Sequence, residues 1–244
     1  MKRRVRWIAC SAALVLGASA FWQGLQVTRD CVYSDKVSKI VRLALVTDLH
    51  STWYGEAQSR LIDAITWEAP DAVLLAGDIV DDERPRDAAK AFLQAVTQKY
   101  PTYCVLGNHE FRTPDPEEVK DWARDLGVTV LDGTGETVTL NDQTVRICGV
   151  DDPACGTLSW QSQFDTVCRM AQDTDTYTIL LSHRPERTNE YTNSPFDLVV
   201  SGHAHGGQVR IPLLLPGGLI APGQGLFPAY TSGLHELEGT TLLV

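Results

Sequence analysis

From about residue 41 the chain alternates short apolar runs of strand length with longer stretches in which apolar residues recur at helical spacing. The runs 41–47, 72–76, 102–106, 145–150, 178–181 and 198–201 are apolar and bounded by turn formers, which predicts buried strands. Segments 56–68, 86–98, 116–126 and 158–171 predict helices. In the first, Leu61, Ile62, Ile65 and Ala69 share a face and Pro70 closes it. Residues 137–140, then Asn141-Asp142, then 145–148 predict a hairpin. Strand and helix in alternation predict an α/β fold. There is no repeat or low-complexity tract, and 211–230, rich in proline and glycine, predicts an apolar loop.

Length and composition narrow the class. At 244 residues, 43% hydrophobic and 21% charged, the chain can bury a sizeable core in one domain. Disorder, collagen and coiled coil are excluded. A formal charge of -10 argues against a broad basic face, so no nucleic-acid partner is expected.

The first residues differ in pattern. Lys2, Arg3, Arg4 and Arg6 precede an apolar run over 7–22, the order read by export machinery. Residues 1–27 therefore read as a signal or membrane anchor, 28–40 as a linker and 41–244 as the functional domain. Removing those four cations from -10 leaves a body at -14. Ala18-Ser19-Ala20 resembles a signal peptidase site, yet the run is also nearly long enough to cross a thin bilayer. The favoured expectation is an uncleaved anchor at the cell membrane with an extracytoplasmic domain; cleavage would make the protein secreted. Arg3-Arg4 as a twin-arginine signal is a further alternative. Beyond Cys10, five cysteines without a CxxC pair read mainly as small buried apolar residues, with a Cys148–Cys155 bridge as the alternative.

The polar residues fall at the strand ends. The first three predicted strands run into Asp48-Leu49-His50, Gly77-Asp78 and Gly107-Asn108-His109-Glu110. The last two end in Ser182-His183 and Gly202-His203-Ala204-His205. Open α/β sheets bind ligands beyond the carboxyl ends of their strands, so five distant tips are expected to converge. Five of the six histidines sit at these tips, leaving His235 elsewhere. Carboxylate, amide oxygen and imidazole together suit Mn, Fe, Zn or Ni. So many donors call for two divalent metal ions, and two cations about 4 Å apart repel unless an anionic group lies between them. Asp78 is the expected bridge. The glycines at 77, 107 and 202 are expected to let the backbone turn and expose the next side chain.

In order, Asp48-x-His50, Gly77-Asp78-x-x-Asp81, Gly107-Asn108-His109-Glu110, His183 and Gly202-His203-x-His205 resemble the five-block signature of calcineurin-like metallophosphoesterases, over about residues 41–231. The 181–186 segment, the Gly206–Arg210 extension and the proline-rich loop resemble the membrane-anchored bacterial phosphodiesterase branch. The resemblance implies a four-layer αββα sandwich of two mixed β-sheets. It implies Asp48, His50, Asp78 and His205 on one ion, and Asp78, Asn108, His183 and His203 on the other. It further implies a hydrolase in which a hydroxide shared by both ions cleaves a phosphoester, most simply a phosphodiester or pyrophosphate. His109 would then be the catalytic non-ligand histidine, or else a structural one. Asp81 would orient a ligand histidine, or else belong to a solvated acidic loop. Arg184 and Arg210 are candidates for substrate phosphate, with surface salt bridging as the alternative.

The run 213–216, continuing through Leu219-Ile220 and Leu226-Phe227, predicts apolar side chains beside the metals, which suits a lipid-like ester; the alternative is a cover for the sandwich edge. Other open classes are a phosphomonoesterase or nuclease with the same centre, and a binding module that retains the fold. The family usually continues past a terminal strand such as 240–244 with a glycine-rich turn and another strand. A C-terminal truncation is therefore an open alternative, and it would leave a sheet edge exposed.

Overall fold

The computed structural model describes residues 24–173, 175–210, 215 and 217–244. The N-terminal run 7–22 and most of 211–216 lie outside the described residues. Among the described residues no helix is long and apolar enough to cross a membrane.

The first sheet holds β1 (Leu43–Val46), β2 (Ala72–Ala76), β3 (Thr102–Val105) and β4 (Thr129–Val130) in sequence order, all parallel. Parallel neighbours need crossovers, supplied by α1 (Ser59–Glu68), α2 (Asp87–Thr97), and then α3 (Asn108–Arg112) with α4 (Pro116–Asp125). Helix α4 starts where the sequence dictates: the Asp115 side chain accepts from Glu118 N, and Pro116 occupies the first turn.

The second sheet is mixed. It contains β5 (Thr134–Leu140), β6 (Gln143–Val150), β7 (Tyr177–Ser182), β8 (Leu198–Val200), β11 (Leu234–Leu237) and β12 (Thr240–Leu243), in the order β11-β12-β8-β7-β6-β5. Its outer strands run antiparallel to their neighbours. The β5–β6 hairpin turns at Asn141 and Asp142, both with positive φ, as that dipeptide predicts. Helices α5 (Thr157–Met170) and α6 (Thr188–Tyr191) carry the crossovers from β6 to β7 and from β7 to β8. A short ribbon of β9 (Ile220–Ala221) and β10 (Gly225–Leu226) lies within the predicted loop.

Period-two alternation sorts side chains among three cores, and three cores imply four layers. On β2, Val73 and Leu75 face α1 and α2 with Phe92 and Ile65, while Ala72 and Leu74 face the other sheet with Val105, Ile147 and Ile179. On β7, Leu180 faces α5 with Trp160 and Phe164. Where the sheets meet, Gly149 leaves room that a Cβ would take from Val105 and Leu131, each 2.5 Å away. This is the expected two-sheet sandwich, with the first sheet parallel throughout.

Two details sharpen the expectations. Strand β12 lies inside its sheet, between β8 and β11, so the predicted terminal strand is not an edge. The segment expected as a linker is strapped to the body: Arg29 pairs with Glu68, Ser38 N donates to Gln143 and Lys36 pairs with Asp197. The five described cysteines are unpaired; Cys104 and Cys148 are buried.

Candidate metal centre

The carboxyl ends of β1, β2, β3, β7 and β8 carry the donors, and backbone hydrogen bonds tie these tips together. Asp48 N donates to Gly77 O, His50 N to Asp78 O, and Gly202 N to His183 O. Asp48, His50, Asp78, His203 and His205 all adopt positive φ, a conformation non-glycine residues rarely hold without a reason. Five such residues at one place mark a site whose side-chain directions outweigh backbone comfort.

The glycines act differently from expectation. Only Gly77, at φ +93°, uses the left-handed region. Gly107 and Gly202 are needed for space: a Cβ on Gly107 would sit 2.6 Å from Asp78 N, and one on Gly202 2.5 Å from Asp48 Oδ2.

The expected donors form two groups, and His50 also gathers with Asp81 and His109 in a third. Asp48, His50 and His205 bring their ligand atoms together on the open side, and Asp78, His183 and His203 do so in the interior. His50 Nε2 is 3.8 Å and His205 Nε2 3.6 Å from Asp48 Oδ1. Asp78 Oδ2 stands between the groups, 3.1 Å from His183 Nε2 and 3.9 Å from His50 Nε2. An oxygen placed there is within reach of both groups. Asn108, at the start of α3, is also buried.

One oxygen of each carboxylate is already committed. Asp48 Oδ2 accepts from Thr47 Oγ1 and His203 N, and Asp78 Oδ1 accepts from His109 N. The other oxygens, Asp48 Oδ1 and Asp78 Oδ2, are buried without a hydrogen-bond partner in the protein. The same holds for Asn108 Oδ1, His50 Nε2, His183 Nε2 and His203 Nδ1. Buried polar atoms are rarely left so, and six of them on residues at these strand ends fit cations. The imidazoles are prepared for it. His183 Nδ1 donates to Ala76 O, which directs Nε2 at Asp78 Oδ2, where an ion would replace the proton that Nε2 carries.

Charge and burial set the protonation. Burial and the His183 and Arg184 charges push His203 down to about 3, and burial also lowers His50. Burial works against a charge on His183, but the adjoining Asp78 outweighs it and holds His183 up at about 9. Burial also works against ionised Asp78, yet His183 and the His109 N–H keep its carboxyl well below the usual range.

The surrounding residues extend the motif reading. His109 stacks edge-on to His50 with ring centroids 4.4 Å apart, and its Nδ1 faces Asp82 Oδ1. Arg112 lies 3.2 Å from its Nε2. A guanidinium can only donate, so this contact places the His109 proton on Nδ1, toward Asp82. Asp81 Oδ2 lies 3.4 Å from His50 Nδ1, so the acidic run serves both histidines. Glu110, 2% exposed, accepts from Asp78 N, Gly107 N and Val80 N and so clamps the β2 and β3 tips together. Burial, then the Asp78 charge, pushes it up to about 8. Asp82, Glu110 and Arg112 were not singled out from the sequence. The signals available were that Glu110 closes the Gly-Asn-His-Glu block and that Asp82 adjoins Asp81.

The remaining candidates are not among the residues that line the cleft. Arg184 is held by Asp152 in a bidentate pair, 2.7 and 3.1 Å, with Glu186 3.6 Å away. Arg210 is exposed beside Gly206. The guanidinium in the cleft is that of Arg84, which donates to Thr52 Oγ1 and His50 O. His235 sits on β11 against Tyr230.

Residues 41–207 match the family model described as calcineurin-like phosphoesterase, more than half of the chain. The chain belongs to that family. Among its metallophosphoesterase relatives, the phosphodiesterase YaeI of Escherichia coli is 26% identical over 88% of this chain and 82% of its own. An uncharacterized metallophosphoesterase of Helicobacter pylori is 29% identical over 91% of this chain, which spans only 58% of that relative's length. Among solved structures, TT1561 of Thermus thermophilus superposes with a TM-score of 0.54 at 12% identity, covering 84% of this chain and 89% of its own, a likeness of fold. The donor groups lie within residues 41–207 of this metallophosphoesterase, the stretch the family model matches.

Proposed function

We propose that the chain is a hydrolase of phosphodiester or pyrophosphate bonds that works with two divalent ions. The observation that carries this reading is Asp78 Oδ2, buried and placed between two donor groups, 3.1 Å from His183 Nε2 and 3.9 Å from His50 Nε2. Asp48, His50, Asp78 and His205 would hold one ion, and Asp78, Asn108, His183 and His203 the other. When bound, such a pair supplies an acidified water at neutral pH and charge to screen phosphoryl oxygens. The chain's own residues do the rest. Asp48 and Asp78 bring the negative charge that makes the pair tolerable. Glu110 fixes the angle between the β2 and β3 tips. His109 borders the cleft with Nδ1 on Asp82; it would protonate the leaving oxygen only after taking up at Nε2 the proton that the attacking water gives up, with Asp82 steadying the imidazolium so formed. YaeI's description as a phosphodiesterase supports the diester reading. Export and anchoring through residues 1–27, with the domain outside the membrane, complete the proposal; their support is the cationic stub and apolar run.

Hydrolysis of bis(p-nitrophenyl) phosphate by the Mn²⁺-loaded chain, abolished by chelator and by Asp78→Asn, is the expected result. Activity on p-nitrophenyl phosphate alone would make it a monoesterase. Stoichiometric metal without hydrolysis of either would make it a binding module.

A further inference from the structure

The rim of the cleft carries features that ester hydrolysis does not require. Gly24 lines the cleft, two residues beyond Trp22, the last residue of the apolar run. In the sequence the apolar run is thus followed within two residues by one that lines the cleft.

The rim is also apolar at two of the tips that line it. Trp53 stands between the lining residues Thr52 and Tyr54 and is 52% exposed. The chain leaving His205, another lining residue, passes Val209 into the β9–β10 ribbon, tied back by a bridge between Gln208 and Ile220. There Leu226 and Phe227 are 65% and 69% exposed, next to exposed Val209 and Ile220. Isolated exposed apolar residues such as Leu158 on α5 are ordinary, but four on the ribbon and the segment bridged to it are not.

We propose that this rim docks on a lipid bilayer and that the substrate is a phosphoester lipid headgroup, taken from the membrane plane directly into the cleft. This rests on the phosphoesterase reading above and names the substrate class for that site. A ring of Trp, Leu, Phe and Val seats at the headgroup–acyl boundary. The body's acidity gives no attraction to anionic lipid, so the docking is apolar, works on neutral membranes and changes little with salt. A membrane segment followed so closely in sequence by a cleft-lining residue would hold the mouth of the cleft against the bilayer, so a water-soluble ester would have to enter from the side, whereas a headgroup is already in place.

The test uses the full chain reconstituted with Mn²⁺ in phosphatidylcholine vesicles. Hexadecyl p-nitrophenyl phosphate embedded in the vesicle should be hydrolysed at least tenfold faster than water-soluble methyl p-nitrophenyl phosphate, which has the same leaving group. The Leu226→Glu, Phe227→Glu double variant should lose that preference while its rate on the methyl ester holds. Equal rates on the two esters, or a preference that survives the double variant, would overturn the proposal. Docking is read separately by quenching of tryptophan fluorescence with brominated phosphatidylcholine. A component lost in Trp53→Phe supports it, and quenching unchanged by Trp53→Phe overturns it. Failure to hydrolyse either ester would refute the phosphoesterase reading and leave the quenching to decide the docking.

Discussion

The two donor groups use the same chemistry in different surroundings. In the inner group Asp78, His183 and His203 are nearly sealed, at 1%, 0% and 6% exposure, and Asp78 and His183 hold one another's charge. In the outer group His50 and His205 border the cleft, and the His205 side chain is 34% exposed. Burial makes the inner group costly to leave unpaired and slow to exchange, since each desolvated charge needs a partner. On the proposed two-ion reading, the inner group would anchor its ion and the outer group would exchange both ion and substrate, with Asp78 between them.

Removing the joint should have the largest effect. Asp78→Asn should lower kcat on bis(p-nitrophenyl) phosphate by on the order of 10³-fold, the rate equivalent of several kcal/mol of lost charge stabilisation. The two groups should then separate under single substitutions. His183→Ala should lose its ion and stay inactive at millimolar Mn²⁺, whereas His205→Ala should bind the outer ion about 10–100-fold more weakly and recover with excess Mn²⁺. Equal rescue of both variants would erase the distinction.

The pH dependence differs as well. Without an ion, His183 stays protonated up to about 9, and a metal ligand must give up that proton. The inner affinity should therefore fall about tenfold per pH unit below 9, with a proton released on loading. His203, already neutral above about 3, adds no such dependence at neutral pH. Calorimetry in buffers of different ionisation enthalpy reads this directly, and no proton release at pH 7.5 would contradict it.

A smaller effect is expected at Glu110→Gln, where an amide NH₂ replaces one of two oxygens that accept from three backbone N–H groups. Stranding at least one buried donor costs about 1–3 kcal/mol, measurable by denaturant unfolding of the ion-free chain.

The contrast between the groups also marks where the sequence was legible. The strand-borne donors could be read because apolar runs end abruptly in Asp, Asn and His; Coulomb repulsion asked for some carboxylate between two ions, and Asp78, the expected one, does lie between the groups. Helix α3 was not visible: five residues carry no apolar period, and it is held by its boxed contact between Glu110 and the Gly107 backbone rather than by propensity. The partners of Asp81 and Asp82 could not be told apart, because neighbouring carboxylates look alike until the loop places one near His50 and the other on His109. Arg84 escaped notice because it lies outside the motif blocks. Arg184, adjacent to a motif histidine, proved to be engaged by Asp152, a residue 32 positions away.

The claim on which all of this depends is a pair of sites sharing one carboxylate. Electron paramagnetic resonance of the fully Mn²⁺-loaded chain addresses it most directly. An exchange-coupled pair spectrum in the wild type, reduced to single-ion signals in Asp78→Asn, is the predicted result; single-ion signals alone in the wild type at full loading would contradict it.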